Sequence, residues 1–151
     1  MHHLSFLKHI GTGILKIFPA PGKLTNWIIG RYRAKQALAA FEKGVQRASD
    51  PLPSNSGHIA IDGRLVIIKA TLRTADADYK SLYIKMNSNE KTRWGMLATM
   101  AVELKDALED LLGRTRPASP SSPLNLIFDP IFNISFDRFQ KYLEEKNRFE
   151  S

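Results

Sequence analysis

Residues 57–86 read GHIAIDGRLVIIKATLRTADADYKSLYIKM, a stretch that alternates in the manner of strands joined by turns. Asp62-Gly63 offers the positive φ angles that a two-residue hairpin turn requires, so the chain should reverse there. Residues 64–73 form a long apolar run whose alternate side chains point to opposite faces. A polar break at 74–78 precedes another alternating run at 79–86. The pattern predicts antiparallel strands joined by short turns.

A helix is predicted to close this sheet, because the apolar residues that follow recur at helical spacing. They are Met100, Ala101, Leu104, Ala107, Leu108, Leu111 and Leu112. Thr99 is placed to cap the helix and Gly113 to end it. Residues 92–99 fit either a fourth strand or the first turns of this helix, and the strand is favoured. The predicted fold class is α+β, a small antiparallel sheet of three or four strands backed by one helix.

Helices are predicted on both sides of this central unit. An amphipathic helix should run from about Thr25 to Ser49, with basic residues around much of its surface. Ser135 is placed to cap a final helix. The predicted organisation is a basic helical segment at 1–50, a linker at 51–57, a strand-hairpin-helix domain at 58–113, a Pro/Ser linker at 114–123, and a short strand with a C-terminal helix at 124–151.

The net charge of +7 is concentrated early in the chain, where residues 1–50 carry eight Lys or Arg against two acids. Such a segment suits an anionic partner, which is nucleic acid, a phospholipid surface or an acidic protein. No acid precedes Glu42, a feature shared with organelle presequences, but arginine is absent before Arg31 and serine is sparse. An intracellular location is favoured, with organelle targeting as the alternative.

The search for catalytic and metal-binding motifs is negative. The chain has no cysteine, and its four histidines lack the spacing of metal sites. Gly11-Thr12-Gly13 lacks the flanking residues of a phosphate-binding loop, and no Gly-x-Ser-x-Gly elbow is present. We therefore assign no catalytic, cofactor-binding or metal-binding residue. A non-enzymatic binding protein is expected, and a small enzyme with an unrecognised site is the second alternative.

The second face of the predicted sheet combines aromatic and cationic side chains. Such a face can hold single-stranded nucleic acid, because bases stack on rings while cations contact phosphates. The predicted contacts are Lys69, Arg73, Tyr79, Tyr83, Lys85 and Arg93, with Arg31, Arg33 and Lys35 on the preceding basic helix. The alternative is that the basic helix covers this face and the tyrosines belong to the core, because Leu65 and Ile67 share the face and are apolar.

One segment resembles a known family. The run at 101–112, AVELKDALEDLL, resembles the helix that closes a PUR repeat, and Ile61-Asp62-Gly63-Arg64 fits the first hairpin of such a repeat. The resemblance covers about 55 residues and implies four curved antiparallel strands and one helix. In that family two repeats intertwine, and the sheets bind single-stranded DNA or RNA. Whirly proteins share this general architecture.

Three partners follow from these patterns. The first is single-stranded DNA or RNA on the open sheet. The alternative is a peripheral membrane or assembly role, in which residues 4–18 and 24–45 lie on an anionic membrane surface or form a partner interface. A homodimer is also predicted, because a short sheet leaves edges that a second copy could pair.

Overall fold

The computed structural model describes residues 21–52, 57–114 and 131–150, and these segments are almost entirely helical. Four α-helices and one short 3-10 helix are present in them. Their bounds are α1 Pro21–Ser49, α2 His58–Leu82, the 3-10 turn Tyr83–Lys85, α3 Ser88–Arg114 and α4 Ile131–Glu150. None of the described segments contains a β-strand.

The predicted α+β fold is therefore wrong, and the reason lies in residues 57–86. The strands expected there are a single helix, α2, followed by the 3-10 turn. Ile61, Leu65, Ile68 and Ala75 recur at intervals of three, four and seven, so the stretch has a helical as well as a strand period. The buried face of α2 follows the helical period. The sheet implied by the PUR resemblance is likewise absent from the described residues.

The expected hairpin turn at Asp62-Gly63 does not form. Both residues lie inside α2 and are exposed, and no glycine in the described part of the chain has a positive φ angle. A turn dipeptide signals a reversal only where the flanking strands pair, and here the flanking residues pack as a helix against α1 and α3. The helical state is favoured by this tertiary packing.

The residues that directly follow 86 begin α3. Asn87 Oδ1 accepts a hydrogen bond from the Glu90 amide at 2.8 Å, and Glu90 Oε1 accepts one from the Asn87 amide at 2.9 Å. This is a capping box, which satisfies two backbone donors at a helix start. The strand favoured at 92–99 is accordingly wrong. Thr99, the expected cap, lies inside α3 and donates its hydroxyl proton to the Gly95 carbonyl.

The other helix predictions are confirmed with shifted bounds. The helix expected from Thr25 to Ser49 is α1, and the helix expected over 100–112 is the second half of α3. The final helix begins at Ile131, before the expected cap at Ser135. The short strand predicted at the start of 124–151 and most of the predicted 114–123 linker lie outside the described residues.

The core lies where α1 contacts α2, α3 and α4 and where α3 contacts α2 and α4. Phe41 of α1 and Trp94 of α3 meet with ring centroids 4.9 Å apart. At Gly44 the α1 backbone approaches α2 so closely that an added Cβ would lie 2.6 Å from Thr71 Cγ2 and also against its hydroxyl oxygen. This contact holds α1 and α2 at short range.

Candidate functional site

The residues predicted to contact nucleic acid do not share one face. They are distributed over α1, α2, the 3-10 turn and α3, and the open sheet that was to unite them is not present in the described segments. Lys69 and Arg73 are exposed on α2, and Lys69 pairs with Glu109 at 3.6 Å. Tyr79 is half-buried and makes an edge contact with Trp94 at 5.6 Å between centroids. A continuous stacking platform is therefore not formed.

Arg93 belongs to a polar network inside the helix bundle. Its guanidinium donates to Glu42 Oε2 at 3.1 Å and to the Tyr142 hydroxyl at 3.2 Å. Tyr142 donates to the same Glu42 oxygen at 2.6 Å, and Lys146 Nζ reaches the other oxygen at 2.9 Å. One carboxylate of α1 thus connects α3 and α4. Through this network Arg93 joins the helices to one another.

The pKa values of this network reflect its burial and its pairing. Burial alone would raise the pKa of Glu42, but hydrogen bonds from Tyr142, Lys146 and Arg93 outweigh it and lower the pKa below its ordinary value. Burial and the adjacent Glu42 carboxylate raise the pKa of Tyr142 well above that of a free phenol. Near neutral pH Glu42 is therefore a carboxylate and Tyr142 a neutral phenol.

Arg31 has a positioning role at the other end of α3. Its guanidinium contacts both Glu90 oxygens, one of them at 3.3 Å, and also donates to the Lys85 carbonyl. Burial opposes ionisation of Glu90, but the hydrogen bonds from Arg31 and the Asn87 amide lower its pKa. Gly30 lies against the aliphatic part of the Lys85 side chain, where an added Cβ would be 2.9 Å from Cγ. These contacts hold the 3-10 turn against α1.

This packing places exposed apolar side chains at one end of the bundle. Ile84 and Tyr83 in the 3-10 turn are 73% and 46% exposed, and Trp27 of α1 is 51% exposed. Trp27 lies one helical turn before Gly30 and Arg31, on the side of α1 that faces the 3-10 turn. All three side chains therefore lie at the same end of the bundle.

Cations surround these apolar residues. Lys23 is one turn before Trp27 on the same side of α1, Lys85 contacts Gly30, and the Lys91 ammonium lies 6.0 Å from the Tyr83 ring centroid. We call the surface formed by Lys23, Trp27, Tyr83, Ile84, Lys85 and Lys91 the tip surface. It includes Tyr83 and Lys85 from the predicted set of nucleic-acid contacts.

The tip surface lies in a part of the chain with a strong positive charge. Residues 21–41 carry four Lys or Arg and no acid, and residues 79–91 carry three lysines and one acid. That acid is Glu90, which is 5% exposed and paired with Arg31. Arg33 and Lys35, both in the predicted set, are exposed on α1 nearby. The field in front of the tip surface therefore favours anions.

The described residues contain neither a candidate metal site nor a candidate membrane-spanning helix. Among residues 21–52, 57–114 and 131–150, no cluster of His, Asp or Glu has the arrangement of a metal site. Within the same ranges, none of the helices combines the length and the hydropathy of a membrane span.

Comparison with protein-family models, with curated proteins and with solved structures finds no match to this chain. The PUR resemblance stays a prediction from residues 61–64 and 101–112.

Proposed function

We propose that this chain is a peripheral membrane-binding protein that docks on anionic bilayers through the tip surface. The observation that carries the proposal is the exposure of Trp27, Tyr83 and Ile84 at one end of the bundle, among lysines, with Glu90, the acid in residues 79–91, buried. Such side chains partition to the boundary between headgroups and acyl chains. This proposal develops the membrane alternative with described residues of α1 and the 3-10 turn.

The expected affinity follows from the composition of the tip surface. Moving an exposed Ile side chain out of water contributes about 1.5–3 kcal/mol when its burial is complete. Each lysine close to an anionic leaflet contributes about 1 kcal/mol. The three lysines and the apolar side chains together support reversible, salt-sensitive binding. An anionic bilayer satisfies both components, whereas a folded acidic protein would need a matching apolar pocket.

The test is vesicle flotation of the full chain with phosphatidylcholine vesicles and with vesicles containing about one third phosphatidylserine. Binding is expected only to the anionic vesicles and should weaken as salt rises. Trp fluorescence provides an independent readout, because Trp94 is 4% exposed and a vesicle-dependent blue shift reports on Trp27. A shift confined to anionic vesicles supports docking through the tip surface.

Matched variants decide whether the tip surface is responsible. Ile84→Ser with Trp27→Ala should reduce binding about tenfold or more, because both apolar anchors are lost. Val102→Ser, at another exposed apolar position on α3, should leave binding unchanged. A labelled single-stranded oligonucleotide is included as a competitor. The proposal fails if vesicles do not bind, if Val102→Ser weakens binding as much as the tip variant, or if only the oligonucleotide binds.

A further inference from the structure

The outer face of α2 carries an exposed line of small and apolar side chains, interrupted by one arginine, with heptad spacing. Intervals of four and three residues alternate along this line, as in the seam of a coiled coil. Its members are Ile59, Gly63, Val66, Ala70, Arg73 and Ala77, all of them exposed. The line lies opposite the buried face formed by Ile61, Leu65, Ile68 and Ala75. Neither α1 nor α3 covers it.

Large and small side chains alternate along the line, and this alternation is complementary to a second, antiparallel copy of α2. Larger side chains occupy 59, 66 and 73, and glycine or alanine occupies 63, 70 and 77. If a second α2 lies antiparallel so that Val66 faces Ala70 of the other copy, Ile59 faces Ala77 and Arg73 faces Gly63 in the same register. Each large side chain then meets a small one, and the helices can approach closely. Shifting the register by one heptad in either direction loses one of these matches at each end.

The charges beside the line fit the same register. Asp62 and Arg73 lie on one flank of α2, both are exposed, and neither forms an ion pair within the described residues. In an antiparallel pair, residues on equivalent flanks face each other, so Asp62 of each copy meets Arg73 of the other. Lys69 is nearest the two-fold axis on that flank, and its pairing with Glu109 at 3.6 Å reduces repulsion between the copies.

We infer that the outer face of α2 binds a second copy of this chain, as an antiparallel α2–α2 pair with Val66 opposite Ala70. The size match and the charge match are both best satisfied in this register. This interface replaces the sheet-edge dimer expected from sequence and does not depend on membrane binding. One helix pair buries less than the ~1,600 Å² of a standard interface, so the dimer should dissociate at roughly micromolar concentrations.

Sedimentation equilibrium of the full chain between about 1 and 200 µM should show reversible dimerisation in this range. Val66→Asp should weaken it about 100-fold, because an unpaired carboxylate would face Ala70. Asp62→Arg and Arg73→Asp should each weaken it about tenfold, and the double exchange should restore it. A monomer throughout the range, or a double exchange no better than either single variant, would overturn the inference.

Disulfide cross-linking tests whether the two α2 helices are antiparallel. The chain has no cysteine of its own, so only the introduced cysteines can form disulfides. In Ile59→Cys/Ala77→Cys the two thiols are about 27 Å apart along one helix, which is too far for a bond within a chain. Under mild oxidation this variant should form covalent dimers, whereas Ile59→Cys alone should not. Efficient dimers of the single variant indicate parallel pairing and contradict the register. Unchanged circular dichroism of each variant excludes unfolding as the cause.

Discussion

Substitution of Gly44 by alanine has two opposing effects on the free energy of unfolding, and the typical size of each is known. Glycine in a helix interior is about 1 kcal/mol less favourable than alanine, so Gly44→Ala should stabilise α1 by that amount if space were available. Space is not available, because the new Cβ would lie 2.6 Å from Thr71 Cγ2 and closer still to its hydroxyl oxygen. Thr71 is β-branched and its first torsion is restricted, so the contact forces the helices apart.

The expected destabilisation by Gly44→Ala follows from comparison with Gly95, a control position in the interior of α3. No atom lies within 4 Å of a Cβ built on Gly95, so Gly95→Ala should stabilise the protein by about 0.5–1 kcal/mol. Overpacking of a tight contact costs about 1–3 kcal/mol. Gly44→Ala should therefore lie about 1–3 kcal/mol below Gly95→Ala in free energy of unfolding, because the helix-propensity gain is common to both.

Urea unfolding followed by circular dichroism measures both values, with Trp94 fluorescence as a second probe of two-state behaviour. The double variant Gly44→Ala/Thr71→Ala should recover most of the loss, because removing Oγ1 and Cγ2 leaves only the Thr71 Cβ position, 3.1 Å from the new atom. Equal stability of Gly44→Ala and Gly95→Ala would refute the close approach of α1 and α2. So would a double variant with no recovery.

Two further predictions concern the network around Glu42. Tyr142→Phe removes the 2.6 Å hydrogen bond to a charged acceptor from a residue that is 1% exposed, and should lower the free energy of unfolding by about 1.5–3 kcal/mol, measured by urea unfolding. Tyr83→Phe, at an exposed tyrosine, should change it by less than about 0.5 kcal/mol, and equal effects would contradict the network. Because the pKa values of Glu42 and Glu90 are depressed on folding, their contribution is present above the ordinary carboxyl value of 4.5 and is lost as pH falls through the lower folded values. Glu42→Gln should therefore flatten the acid side of the stability–pH curve in thermal unfolding from about pH 7 to 2, and an unchanged slope would show that Glu42 is not paired in solution.

The sequence predicts α1 and the second half of α3 because their apolar residues have one dominant period. Residues 57–86 have two periods. Residues 65–68 are a continuous run of aliphatic side chains, which fits a buried strand and a buried helix equally. The choice depends on packing against α1 and α3, which a local pattern does not contain. The capping box at Asn87 and Glu90 was present as a local signal, and it indicates a helix start rather than a turn.

The candidate site, like the fold, could be predicted only in part from the sequence. The basic character of the first helix was readable from composition. The burial of Arg93 was not readable, because its partners Glu42 and Tyr142 are 51 and 49 residues away in the chain. The exposure of Ile84 depends on α2 ending at Leu82 and the chain tightening into a 3-10 turn. A single apolar residue after a helix end gives no periodic signal.

The position of the 3-10 turn directly after α2 determines where a pair of these molecules would present their tip surfaces. In the antiparallel register the axis passes near residue 68, so each Ile84 lies about 24 Å along α2 from the centre and the two lie roughly 50 Å apart. Because each tip surface lies at the end of its bundle, the two tip surfaces of an antiparallel pair face in opposite directions, and one flat bilayer contacts only one of them. A pair would therefore bridge two anionic vesicles, and a monomeric variant such as Val66→Asp would retain its tip surface but lose this bridging.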